Sequence, residues 1–139
     1  MESKILPFAH SEYRRRGLSP SWYSELLEYT HDAIIIWAMG GEGIRFWNRA
    51  AELLYGYRSQ EVIGLITHDL LKTRLPIDVS ELERAIARDG TWIGELQHTT
   101  RDGQEIRVES RLVLLPNLED EWLVAEINRE VQDSYRSRR

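Results

Sequence analysis

Apolar positions along this chain follow two periods, and the switches between them mark the elements. Ala33 to Met39 (AIIIWAM) is an unbroken β-rich apolar run, the pattern of a strand covered on both faces. Gly40-Gly41-Glu42-Gly43 follows as a turn whose glycines accept positive φ. A short second strand then ends at Trp47. Asn48 is placed to cap a helix, because its side-chain oxygen can take a free amide of the first turn. The helix-forming run Arg49 to Tyr55 comes next, and Gly56 stops it. Further on, Ser80-Glu81-Leu82-Glu83 has the form of a capping box. Val79, Leu82, Ala85 and Ile86 share one apolar helical face that ends near Arg88, with Gly90 beyond.

The stretch from Thr91 to Leu114 alternates with period two around Arg101-Asp102-Gly103. A two-residue Asp102-Gly103 turn would set Leu96 opposite Glu109 and mix apolar with charged groups on one face. A three-residue loop with Gly103 in the left-handed region and a bulge pairs Trp92 with Leu112, Gly94 with Ser110, Leu96 with Val108 and His98 with Ile106. This second register gives an apolar inner face and a polar outer one carrying Glu95, Gln97, Arg107, Glu109 and Arg111, and it is the one expected.

Two segments flank this region. Residues 1–18 are polar with no sustained period and are expected to be flexible. Ser19-Pro20 starts a flanking helix over residues 19–30, with Trp22, Leu26 and Tyr29 on one face. Ala33 to Met39 and Trp122 to Ile127 are apolar on both alternating sets, so a second layer must shield the outer side of those strands. The helical stripe supplies it, on its own sheet or against a second chain, and a homodimer is expected. Residues 133–139 are polar and read as the start of a linker or the chain end.

Five motifs fall in one order: Trp47-Asn48-Arg49-Ala50-Ala51-Glu52-Leu53-Leu54-Tyr55-Gly56-Tyr57, Glu61-Val62-Ile63-Gly64, Gly90-Thr91-Trp92-Ile93-Gly94-Glu95-Leu96, Arg101-Asp102-Gly103 and Glu126-Ile127-Asn128-Arg129. In content and spacing the chain resembles a PAS domain of the sensory-box type, as in bacterial sensor histidine kinases, over residues 31–132. It departs at Glu130-Val131-Gln132, where the family usually has Asp-Ile-Thr. The resemblance implies an α+β fold, a five-stranded antiparallel sheet with helices on one face. It also implies a sensory input domain in signal transduction, coupled to an effector domain or partner protein.

Composition narrows the chemistry. At 139 residues and 42% hydrophobic content, one core is expected, burying about 68–70% of the unfolded surface. A net charge of −5 argues against a nucleic-acid surface. The arginines at 14–16 and at 136, 138 and 139 read as solvated tail charge. There is no cysteine, so neither disulfides nor the covalent flavin or coumarate photochemistry of some relatives is open to the chain. The longest apolar run, seven residues, falls far short of the ~20 that span a bilayer. A cytoplasmic location is expected, with no membrane role for this segment.

Candidate site residues lie on the concave inner face: His98, Ser110 and Asn128, with Glu126 inward by the same period of two and Trp47 as a wall. By resemblance, His98 and Asn128 fall near positions where flavin-binding relatives turn amides toward their cofactor. Trp47, Trp92 and Trp122 read as core or pocket wall. A buried Glu126 is expected to sit in a structural salt bridge. Haem is not expected, since the helix from Val79 has no histidine, and His68 just upstream reads as a local hydrogen-bonding group. The four histidines show no metal-ligand spacing. No glycine-rich phosphate loop or nucleophile elbow occurs, so the isolated domain is not expected to be an enzyme. The cofactor, if any, is unknown. Two functions are open: a small-molecule sensor with its ligand in the inner pocket, or a ligand-free dimerisation and interaction module.

Overall fold

Alternating strands and short helices build an antiparallel sheet with the helices against one face. The computed structural model describes residues 30–115 and 121–132 together with Leu27. Its strands are β1 (Ala33–Ala38), β2 (Gly43–Trp47), β3 (Thr91–Thr99), β4 (Glu105–Leu114) and β5 (Leu123–Glu130). Between β2 and β3 run the helices α1 (Arg49–Tyr55), α2 (Ser59–Val62), α3 (Thr67–Leu70) and α4 (Val79–Asp89). The five strands are ordered β2-β1-β5-β4-β3, which places β5, the last in sequence, at the centre. The apolar run of β1 is central too, between β2 and β5.

Asn48 locks the β2–α1 junction with both ends of its amide. Its Oδ1 accepts from Ala51 N–H at 2.9 Å, the helix cap, and from Ile34 N–H at 2.9 Å. Its Nδ2 donates to the carbonyls of Asp32 at 3.1 Å and Leu27 at 2.9 Å. All this takes place with the side chain fully buried, where an unmade bond would cost about 1–3 kcal/mol. Gly56 ends α1 in the left-handed region at φ 88°. Gly43 is demanded by close approach, since a Cβ there would sit 2.5 Å from the carbonyl oxygen of Gly64.

The β3–β4 hairpin takes the bulged register. Trp92 pairs with Leu112, Gly94 with Ser110, Leu96 with Val108 and His98 with Ile106. Gly103 has φ 89°, and Thr100 N–H donates to Gln104 O at 2.8 Å to close the loop. Two expectations need correction. The α4 cap is Asp78, not Ser80: the Asp78 carboxylate accepts from Glu81 N–H at 2.9 Å, and the Ser80 hydroxyl donates to that carboxylate at 3.0 Å. With the cap two residues earlier, the amide it satisfies is that of Glu81 rather than Glu83, and the helix starts at Val79. Trp122 is not core: it precedes β5 and is 47% exposed.

The core fills the space between sheet and helices. Ile35, Trp37, Trp47, Tyr55, Leu71, Leu82, Ile86, Leu96 and Leu112 are all buried there. The indole of Trp92 folds across Gly94, whose missing Cβ makes the room: one added there would lie 2.4 Å from the ring. The outer face differs in kind. It carries the Glu95–Arg107 ion pair at 2.9 Å and a shallow groove of about 480 Å³ between Asp32, Ile93, Arg111, Ile127 and Arg129. The expected stripe of Trp22, Leu26 and Tyr29 lies outside the described residues.

Candidate functional site

A row of small and polar side chains crosses the inner face at one level. Strand pairing aligns Gly94 with Ser110, Ser110 with Asn128, and Asn128 with Ala33. The next row holds Leu112, Glu126 and Ile35. Into this otherwise apolar layer α1 sends Tyr55 and β3 sends His98, both fully buried. Tyr55 falls one turn after Ala51 on the buried side of α1, so the helix capped by Asn48 aims a phenol at the sheet.

These groups form a nearly closed ring. Asn128 Nδ2 donates to Tyr55 Oη at 3.0 Å and to Glu126 Oε2 at 2.9 Å. Tyr55 Oη lies 2.7 Å from His98 Nδ1. Having accepted from the amide, the phenol sends its own proton to Nδ1. His98 therefore carries its proton on Nε2, a tautomer assigned by the network. That Nε2 points toward Glu126 Oε2 at 3.7 Å, too far for a hydrogen bond. Trp37 Nε1–H donates to the other Glu126 oxygen at 2.8 Å.

The electrostatics keep both titratable neighbours of Glu126 uncharged. Burial lowers the His98 pKa from its ordinary 6.5; the Glu126 carboxylate opposes this, and His68 adds to it. Burial also holds the Tyr55 phenol well above 10.0, and Glu126 pushes in the same direction. For the structural salt bridge expected at Glu126, the one basic partner among the described residues is His98 at 3.7 Å, whose lowered pKa disfavours its charged form. Among the described residues no lysine or arginine pairs with this fully buried carboxylate, whose partners are an indole and an amide.

Three buried polar atoms of this layer have no partner among the described residues: His98 Nε2, Ser110 Oγ and Asn128 Oδ1. Together they offer a donor, an acceptor and a hydroxyl that can serve as either. Nearly all buried polar groups in native proteins are paired, so the set suits a small hydrogen-bonding guest. Trp47 stands behind this layer. Its ring packs on Tyr55 at 5.6 Å between centroids, and its N–H donates to the Tyr57 carbonyl at 3.0 Å. The described residues contain no group of three or more histidine, cysteine, aspartate or glutamate side chains set to hold a metal ion.

Comparison with known proteins adds the family. The family model described as PAS fold matches residues 22–125. The chain belongs to the PAS family. Such a domain is a sensory module and is not catalytic in itself. A PAS domain from Colwellia psychrerythraea is 27% identical with a TM-score of 0.66, covering 80% of this chain and 95% of its own. The PAS domain of nitrogen regulation protein NR(II) from Vibrio parahaemolyticus is 19% identical at TM-score 0.66, covering 78% and 97%. A PAS domain from a two-component sensor histidine kinase is 15% identical at TM-score 0.65, covering 80% and 95%. The last two speak to the fold alone. A search of curated proteins returns no match.

Against this PAS frame, the structure brings His98, Asn128 and Glu126 into one hydrogen-bonded layer, sets Ser110 beside Asn128, and leaves Trp47 one shell back. Sequence reasoning missed Tyr55 and Trp37, the two residues that tie the layer together. A signal existed for the first: a tyrosine one turn after Ala51 on a helix's buried face needs a partner for its hydroxyl. Trp37 lay inside an apolar run whose inward set could not be separated from its outward set. No helix among the described residues is long and apolar enough to cross a membrane.

Proposed function

We propose that this PAS domain is a sensory input module that holds a small polar molecule at the inner layer of His98, Ser110, Glu126 and Asn128. Occupancy is read out as a conformational change passed to an effector domain or partner protein. The observation that carries the reading is the buried Glu126 carboxylate: among the described residues no lysine or arginine pairs with it, and three polar atoms without a described partner share its layer. Such a cluster is costly if it serves only to hold the fold. A guest that donates to Asn128 Oδ1 and accepts from His98 Nε2–H would complete the layer. It would also bias α1 through Tyr55, whose backbone carbonyl accepts from Arg101 N–H at 2.9 Å at the hairpin tip. In this reading residues 31–132 are the sensing unit, 19–30 a flanking helix, and 133–139 the way out to a downstream element, in a cytoplasmic signalling protein such as a histidine kinase. Native mass spectrometry of the purified chain tests it: a retained organic molecule supports the reading, and bare polypeptide mass counts against it.

A second reading, a ligand-free dimerisation module, draws on a different observation. Trp37, Trp47, Leu96 and Leu112 fill much of the inner face, whereas Ile93 on the outer face is 63% exposed. Exposed apolar side chains beside Ile127 fit a covering helix or a second copy. Removing residues 1–30 and measuring mass by light scattering checks it. A wild-type monomer, or a deletion that stays dimeric with unchanged stability, removes the role assigned to Trp22, Leu26 and Tyr29.

A further inference from the structure

A second cluster of polar atoms without a partner among the described residues sits beside Trp37. A small cleft of about 80 Å³ opens there, bounded by Trp37 and Ala38 of β1, Ile66, Thr67 and His68 around α3, and Glu83 of α4. Both ring nitrogens of His68 are shielded from solvent and lack a partner among the described residues, as does the hydroxyl of Thr67. The Glu83 carboxylate makes no hydrogen bond or ion pair with another described side chain. One wall is aromatic: the His68 ring meets Trp37 edge-on at 5.3 Å between centroids.

The chemistry of this lining selects a class of guest. A carboxylate accepts hydrogen bonds, and a hydroxyl and an imidazole nitrogen can do so too. No lysine or arginine lines the cleft, so nothing there calls for an anion. Aromatic walls favour a flat cation. At about 30 Å³ per water, the volume matches roughly three waters, close to the bulk of one guanidinium group. A guanidinium group meets every condition, being planar, permanently charged and equipped with five donors.

We propose that the cleft over His68 binds a small guanidinium compound, held by Glu83, Thr67 and His68 against Trp37. The site is separate from the inner polar layer but shares Trp37 with it, since the same indole donates to Glu126. A guest that moves the His68 ring therefore acts on the layer through one rigid side chain. The proposal does not depend on a ligand in that layer.

The test is a titration of the full chain with methylguanidine, followed by the NMR resonances of the Trp37 indole and His68 ring, with acetate as the anion control. Saturable shifts with methylguanidine alone are expected. Affinity should fall about tenfold in Glu83→Gln, where a charge-assisted bond is lost, and should fall in Thr67→Val. Ile93→Ala, on the outer face and away from the cleft, should bind as the wild type does. Glu83 is partly exposed, so its variant keeps the fold. Absence of a saturable shift, equal binding of acetate, or binding unchanged in both cleft variants overturns the proposal, whatever native mass spectrometry finds in the inner layer.

Discussion

The two faces of the sheet are made by alternate residues of the same strands, yet each carries exceptions to the usual distribution. The inner face is fully buried and carries Glu126, Asn128, Ser110 and His98. The outer face is partly open and displays Ile93 beside its charged pairs. Burying an unpaired carboxylate costs stability, whereas an exposed isoleucine costs little. A polar layer thus persists on a face that burial alone would have made wholly apolar.

Breaking the inner face should be costly in a graded way. Tyr55→Ala removes a fully buried aromatic that contacts Trp47 and His98. It should cost about 3–5 kcal/mol in chemical denaturation. Ile93→Ala on the other face should stay within about 0.5 kcal/mol, and a similar loss for both would dissolve the contrast. Tyr55→Phe keeps the ring but strands His98 Nδ1 and one proton of Asn128 Nδ2, at a cost of about 1–3 kcal/mol.

The hairpin loop decides which residues belong to which face. Gly103→Val meets no steric neighbour within 4 Å, but its φ of 89° strains a β-branched residue. The expected loss is about 1 kcal/mol or more. The register should survive, with cross-strand NMR contacts still joining Leu96 to Val108 rather than to Glu109.

The smallest effect is a pH slope. Burial depresses the His98 pKa below 6.5, so the unfolded chain binds the proton more readily than the folded one. The stability from a neutral His98 is present in full above about 6.5 and is lost as pH falls from there through the lower folded value. Denaturation midpoints between about pH 7 and 5 should therefore decline more steeply for the wild type than for His98→Gln. Equal slopes would mean that His98 is free to protonate in the folded state.

Much of this contrast was legible in the chain. Period-two alternation across Thr91 to Leu114 forces one register, and with it the inward set of His98 and Ser110. The same rule turns Glu126 inward with Asn128. What alternation cannot give is contact between elements distant in sequence. Tyr55 reaches the sheet from a helix 73 residues before Asn128, and Trp37 finds Glu126 across 89 residues. Asp78 was passed over because Ser80 satisfies the same local capping pattern.

The central claim is that the polar layer is kept for its chemistry and not to hold the fold. It is tested most directly by the unfolding free energy of the combined variant Tyr55→Phe, His98→Leu, Glu126→Leu and Asn128→Leu. Among the described residues the variant leaves only the Trp37 indole N–H and Ser110 Oγ of this layer unpaired, in place of the Glu126 carboxylate and three unpartnered polar atoms. It should therefore be at least as stable as the ligand-free wild type. A loss of about 3 kcal/mol or more would contradict the account and make the layer a structural network.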